Sequence, residues 1–148
     1  MSTYTQIIYH IVFSTKNRQS TLDYDKQEKL FKYIWGIIKN KNGHLYRING
    51  ERDHLHILTS LHPSLALSDF IRDIKVASSK WIQEQSVFPA FDGWQKGYSA
   101  FTHSVDDKKR LIQYIIGQKE HHRKLTFQEE LANLLKQAQI EFDMKYLA

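Results

Sequence analysis

Residues Tyr4 to Phe13 are dominated by β-branched and aromatic side chains, which favours a strand, and the polar run Ser14-Thr15-Lys16-Asn17-Arg18 ends it. From Asp23 to Asn40 the period changes, because Leu30, Phe31, Ile34, Ile37 and Ile38 recur at helical spacing with Lys and Glu between them. Asn42-Gly43 stops that helix. His44 to Asn49 and His54 to Ser60 are short strand-like runs joined by Gly50-Glu51-Arg52-Asp53, which reads as a hairpin turn. Leu67, Phe70, Ile71, Ile74, Ala77, Trp81 and Ile82 give a broad apolar face to a second helix, capped by Ser64 or Ser68 and running to about Gln85. Pro89 and Gly93 break the chain, and Tyr98 to His103 reads as a fourth strand. A third helix is expected from Val105 to His122, with Ser104 and Asp107 at its start, and Thr126 with Glu129 has the capping-box spacing that opens a fourth helix through Gln139.

The order strand, helix, strand, strand, helix, strand is the split βαβ of a ferredoxin-like sheet, so the expected class is α+β. The antiparallel sheet carries helices on one face, followed by a C-terminal helix that bears Tyr114 and by a helical tail. No repeat, low-complexity tract or Pro/Gly-rich linker divides the chain, which reads as one domain over residues 1–125 with residues 126–148 as its tail. This topology hosts many functions, so the function has to be argued from the site.

A chain of 148 residues buries one ordinary core, roughly two-thirds of its unfolded surface. The absence of cysteine excludes a disulfide framework, an iron–sulfur cluster and a thiolate zinc finger, and a cytoplasmic address is the default. Neither a signal peptide nor a membrane-length apolar run is visible. The net charge of +5 is uneven: Glu129, Glu130, Glu141 and Asp143 face only Lys136 and Lys145 in the tail, leaving +7 on residues 1–125. A polyanionic partner therefore fits the body of the chain, and the tail is expected to stand apart from any anion-binding surface. An aromatic content of 13% can also supply stacking platforms for unpaired bases.

The strand Asp53-His54-Leu55-His56-Ile57-Leu58 is the most informative stretch. Residues i and i+2 share a strand face, so His54 and His56 point one way while Leu55 and Ile57 point to the core. Two neighbouring neutral imidazoles suit a divalent metal; a polar strand face with satisfied hydrogen bonds is the alternative. Tyr114 and Gln118 lie four residues apart and share one face of the third helix. A tyrosine that ionises near ~10 is a weak nucleophile at neutral pH unless a metal polarises its electrophile, and a glutamine carbonyl can complete that metal's coordination. Taken alone, the pair is equally ordinary helix decoration. His121, His122 and Arg123 complement the negative end of the helix dipole or approach a metal or phosphate. Arg72, Lys75 and Ser79 form a polar ridge on the second helix and Lys16, Arg18 and Arg52 fall in loops; phosphate contacts and solvated faces explain them equally well. The serine-hydrolase elbow, the P-loop, the dinucleotide glycine motif and the H-E-x-x-H zinc motif are all missing.

Five segments in order resemble one family. Tyr9-His10-Ile11-Val12-Phe13 through Arg18 is similar to the opening strand of the single-tyrosine HUH transposases of the insertion sequence 200/605 group, and Asp53 to Leu58 to their HUH strand, where U is hydrophobic. Ile74-Lys75 with Ser78-Ser79, Trp94-Gln95-Lys96-Gly97-Tyr98, and Tyr114-Ile115-x-x-Gln118-x-x-His121-His122 resemble three further family segments, and the likeness covers nearly the whole chain. The resemblance implies nicking and rejoining of single-stranded DNA at hairpin-marked ends through a 5′-phosphotyrosine intermediate. It implies Tyr114 as nucleophile and His54, His56 and Gln118 as ligands of Mg²⁺ or Mn²⁺. It also implies a homodimer whose tyrosine helix is exchanged in trans; no membrane partner is expected, since no apolar run reaches membrane length. Two other classes compete. A domesticated, non-catalytic binder of single strands or hairpins would show no metal dependence or cleavage, and a metal hydrolase acting through bound water would leave Tyr114 dispensable.

Overall fold

The computed structural model describes residues 2–120 and 125–147. His121, His122 and Arg123 therefore lie outside the described residues. Four strands, β1 (Ile8–Ser14), β2 (His44–Gly50), β3 (His54–Ser60) and β4 (Ser99–His103), form one antiparallel sheet in the order β2-β3-β1-β4. This is the α+β, ferredoxin-like arrangement that the element order predicts. Around the strands lie α1 (Gln27–Asn40), α2 (Leu67–Gln85), α3 (Lys108–Ile116) and α4 (Phe127–Gln137).

Strand alternation decides which helix covers which face. Ile11 and Phe13 of β1 join Leu55 and Ile57 of β3 in the main core, where α1 supplies Leu30, Ile34 and Ile38 and α2 supplies Phe70, Ile71, Ile74 and Ile82. The intervening residues Ile8, His10 and Val12 face the other side with His54, His56 and Leu58. Leu111 and Ile115 of α3 pack there on Ile8 and Leu58, while Phe127, Leu131 and Leu135 of α4 pack on Val12 and Phe101. Burying each such side chain contributes about 1.5–3 kcal/mol, which fixes the tail to the sheet. The acidic tail thus covers the sheet face that carries the histidines and does not stand apart from it.

Three local features differ from the sequence expectation. The first strand begins at Ile8, and the stretch before it is exposed, with Tyr4 90% accessible. Neither Ser64 nor Ser68 caps α2; Ala66 occupies that position without a side-chain bond. The third helix is not continuous to His122: a 3₁₀ turn over Val105–Asp107 leads into α3, which stops at Gly117 before residues 118–120 turn helical again. Glycine is the weakest non-proline helix former, and the break lets Gln118 turn inward. The fourth helix starts as expected, with Thr126 Oγ1 accepting the Glu129 N–H at 3.2 Å. Among the described residues, no helix is long and apolar enough to cross a membrane.

Two glycines separate packing from propensity. A Cβ on Gly50 would lie 2.4 Å from the His54 carbonyl oxygen, whereas one on Gly36, inside α1, meets nothing within 4 Å. Gly50→Ala is expected to lower stability by about 1–3 kcal/mol and Gly36→Ala to raise it by about 0.5–1 kcal/mol, checked by urea unfolding.

Candidate active site

β3 delivers His54 and His56 side by side, 1% and 0% exposed, to the sheet face beneath α3 and α4. Each ring is fixed at its far nitrogen. His54 Nδ1 donates to Asp53 Oδ1 at 2.7 Å, and Phe127, the first residue of α4, stacks on the His54 ring with centroids 4.4 Å apart. His56 Nδ1 lies 2.8 Å from Nε2 of the buried His10. With the Nδ1 atoms held, both Nε2 atoms face one carboxylate: Glu130 Oε1 is 3.2 Å from His54 Nε2 and 3.0 Å from His56 Nε2.

Tyr114 and Gln118 arrive from the third helical segment. Packing of Leu111 and Ile115 on the sheet sets the azimuth of α3, and Asn49 of β2 donates its side-chain amide to the Ile115 and Ile116 carbonyls at 3.0 and 3.2 Å. Those carbonyls belong to the last turn of α3, where the regular i to i+4 ladder runs out. So anchored, the Tyr114 hydroxyl donates to Glu130 Oε2 at 2.7 Å, and the Gln118 amide donates to the same oxygen at 2.7 Å. Gln118 Oε1 sits 3.3 Å from His54 Nε2. The four residues that the sequence proposes as nucleophile and ligands therefore meet in one buried centre within a single chain.

The charges in this centre depend on one another. Burial alone would raise the Glu130 carboxyl, but hydrogen bonds from His54 and His56 outweigh it and hold the group well below the usual carboxylate range. Burial likewise opposes a charged His54, yet its bonds to Asp53 and Glu130 prevail and raise it to about 9. Burial, then the charge and hydrogen bond of Glu130, pushes the Tyr114 phenol well above its ordinary value. Burial and the neighbouring His56 and His103 depress His10 well below its ordinary value, so it is neutral at pH 7.

The donor set fits a divalent cation. One ligand atom each from His54, His56 and Glu130 lies within 4.8 Å of the others, all three residues are buried, and Gln118 Oε1 borders the same space. Two imidazoles and an amide oxygen alone suit Mg²⁺ poorly; the Glu130 carboxylate supplies the hard oxygen that Mg²⁺ and Mn²⁺ prefer. Sequence reasoning missed both Glu130 and His10. Their signal was visible in the pattern: Glu130 is a charge on the apolar stripe Phe127, Leu131, Leu134, and His10 shares a strand face with Ile8 and Val12.

The proposed DNA-contacting residues fall elsewhere. Arg72, Lys75 and Ser79 of α2 line a groove of about 510 Å³ with Trp94, Lys96 and Tyr98, and Lys75 Nζ donates to the Gln95 and Gly97 carbonyls. Lys16 and Arg18 form the 3₁₀ turn after β1, with Lys16 3.7 Å from Asp92. Arg52 is not part of either group; it pairs with Asp23 at 2.9 Å.

The sequence profile of the IS200-like transposases matches residues 3–118, and the chain belongs to that family. It is 29% identical over 77 residues to the transposase of insertion sequence element IS200 from Salmonella typhimurium, a match that spans 52% of this chain and 51% of the relative, about half its length. The ISDra2 transposase TnpA of Deinococcus radiodurans is 24% identical over 118 residues, covering 76% of this chain and 84% of the relative. The fold is similar to that of a REP-associated tyrosine transposase bound to a REP hairpin, with a TM-score of 0.62, 17% identity and coverage of 80% or more on this side and about three-quarters on the other (82% and 74%).

The raised His54 carries a sign. A histidine lifted from 6.5 to about 9 stabilises the fold fully below pH 6.5, and that contribution disappears as pH rises through 9. With chelator present, the melting temperature is expected to fall by ~5 °C or more between pH 6.5 and 9.5, and His54→Gln is expected to flatten this slope. Differential scanning calorimetry across that window checks it.

Proposed function

We propose that this protein is a DNA transposase that nicks and rejoins single-stranded DNA at hairpin-marked ends, with Tyr114 as nucleophile. The convergence of Tyr114, His54, His56 and Gln118 on the one carboxylate of Glu130 carries this reading. Membership of the IS200-like transposase family supports it independently. The Tyr114 oxygen attacks the scissile phosphorus, the bond to the 3′ oxygen breaks, and the strand is left with a free 3′-hydroxyl and a 5′-phosphotyrosine. As the new bond forms, the phenol acidifies and its proton passes along the existing hydrogen bond to Glu130 Oε2, and the departing 3′ oxygen takes one proton in return, so that Glu130 ends ionised as it began. Attack on the adduct by another 3′-hydroxyl restores the phosphodiester, so joining needs no external energy source. A Mg²⁺ or Mn²⁺ ion held by His54, His56, Gln118 and Glu130 would neutralise charge that builds on the non-bridging phosphate oxygens.

Residues 1–125 form the nuclease unit in this reading, with 126–148 a tail of the same domain that contributes Glu130. Lys16, Arg18, Arg72, Lys75 and Ser79 are assigned to the DNA backbone, as are Arg52, His121, His122 and Arg123. The hairpin bound by the structurally similar REP-associated transposase is in keeping with a hairpin substrate here. We further propose a homodimer in which the tyrosine helix of one subunit docks at the histidines of the other.

The test is a denaturing gel of labelled single-stranded hairpin DNA with protein and Mn²⁺. Wild type is expected to form a covalent adduct that chelator abolishes, and Tyr114→Phe to lower adduct formation by ~10³-fold or more. An adduct with Tyr114→Phe would overturn the nucleophile assignment, and a folded, hairpin-binding wild type without adduct would identify a non-catalytic binder. Mixing Tyr114→Phe with His56→Ala is expected to restore adduct through exchanged subunits; no restoration would mean catalysis in cis.

A further inference from the structure

His54 and His56 present equivalent Nε2 atoms to Glu130, but their far nitrogens are held by different partners. His54 Nδ1 is bonded to a carboxylate, Asp53, whereas His56 Nδ1 is bonded to another imidazole, Nε2 of His10 at 2.8 Å. His10 is 1% exposed, stacks on His56 with centroids 5.1 Å apart and ring planes inclined by 26°, and has a second nitrogen, Nδ1, that is buried and has no hydrogen-bond partner among the described residues. A buried ring nitrogen left unpaired costs about 1–3 kcal/mol, so an arrangement of this kind calls for an explanation.

Tautomer bookkeeping supplies one. A histidine that ligates through Nε2 must carry its proton on Nδ1, and a partner must accept that proton's hydrogen bond. We propose that His10 is the positioning residue for His56: its Nε2 lone pair accepts the His56 Nδ1–H, which frees His56 Nε2 for a divalent cation. This rests on the metal-centre reading above. Asp53 can serve His54 in only one way, since a carboxylate accepts from Nδ1–H and donates nothing. His10 can serve in two. With His56 Nε2–H donating to Glu130, His10 donates from Nε2 to His56 Nδ1; with Nε2 given over to a metal, the bond would reverse and His10 would carry its proton on Nδ1. Both rings stay neutral throughout, and the proton lost from His56 Nε2 is balanced by one gained at His10 Nδ1. A cavity of about 300 Å³, lined by His10, His103, Arg110, Tyr114 and Glu130, gives water a place beside the pair. The orphaned Nδ1 is thus the second position of a two-position switch.

Register keeps this device in place. Val12 is directly opposite His56 on the neighbouring strand, so His10 is its diagonal neighbour on the same face, within reach of a long ring. Phe101 faces His10 from the other side in β4 and packs against its ring at 5.8 Å.

The test compares Mn²⁺ affinity, by titration calorimetry, of wild type, His10→Phe and His10→Gln, with unfolding midpoints measured in chelator. His10→Phe keeps the ring volume and loses the acceptor; it is expected to weaken Mn²⁺ binding by ~10–100-fold. The amide oxygen of His10→Gln can accept from His56, and affinity is expected to recover to within about threefold of wild type. A merely structural role would lower both midpoints without separating Phe from Gln in affinity, and that result, or wild-type affinity in His10→Phe, overturns the proposal. Should His10→Phe not fold, the wild type decides alone: with Zn²⁺ as diamagnetic probe, imidazole ¹⁵N spectra are expected to show protons on Nδ1 of both His56 and His10. A proton on His10 Nε2 in the loaded protein contradicts the proposal. Wild type that binds neither Mn²⁺ nor Zn²⁺ at this site removes the metal reading and this inference together; wild type that binds while His10→Phe binds equally removes only the inference.

Discussion

Glu130 is the constraint on which the site depends. A carboxylate buried to 5% exposure in a sheet–helix interface is tolerated only when it is paired and hydrogen-bonded, and this one has partners from two separate elements. His54 and His56 reach Oε1 from β3, while Tyr114 and Gln118 reach Oε2 from the third helical segment. Removing the carboxylate would take away the acceptor that these four groups share. Glu130 itself is carried by α4, which is held by Phe127, Leu131 and Leu135 against Val12 and Phe101. Tail packing, helix placement and histidine orientation are therefore one coupled arrangement.

The sheet makes that arrangement possible through its alternation. The same period of two that sends Ile11, Phe13, Leu55 and Ile57 into the main core sends His10, Val12, His54 and His56 to the opposite face. One face is a conventional apolar interface with α1 and α2. The other mixes apolar anchors with the polar centre, and the apolar anchors decide where the polar groups stand: Phe127 stacks on His54, and Leu111 with Ile115 aligns Tyr114. Burial and the charge of Glu130 beside the phenol hold Tyr114 protonated, and the two histidines share the same carboxylate. A cation in the same space would relieve that charge and leave Tyr114 less tightly held.

Much of this was legible in the residues. The period-two and period-3.6 patterns mark all four strands and the main helices, and the two histidines on alternate positions of β3 with Tyr114 and Gln118 one helical turn apart mark the centre. What escaped were partners that act through tertiary contact. Glu130 sits in a segment whose local chemistry is acidic and amphipathic, and only the packing of α4 brings it 3.0 Å from His56. His10 is separated from His56 by 46 residues and meets it through strand pairing. The break at Gly117 was likewise hidden inside a helical pattern, since a glycine in such a run is as compatible with a continuous helix as with an end.

On the proposed reading, His54, His56, Gln118 and Glu130 enclose one divalent cation beside Tyr114. Anomalous diffraction from crystals of the protein soaked in Mn²⁺ tests it most directly. A single strong peak is expected within bonding distance of His54 Nε2, His56 Nε2 and a Glu130 oxygen, lost in His56→Ala. A peak elsewhere, or none while Glu130 keeps its hydrogen bonds to both histidines, would contradict it.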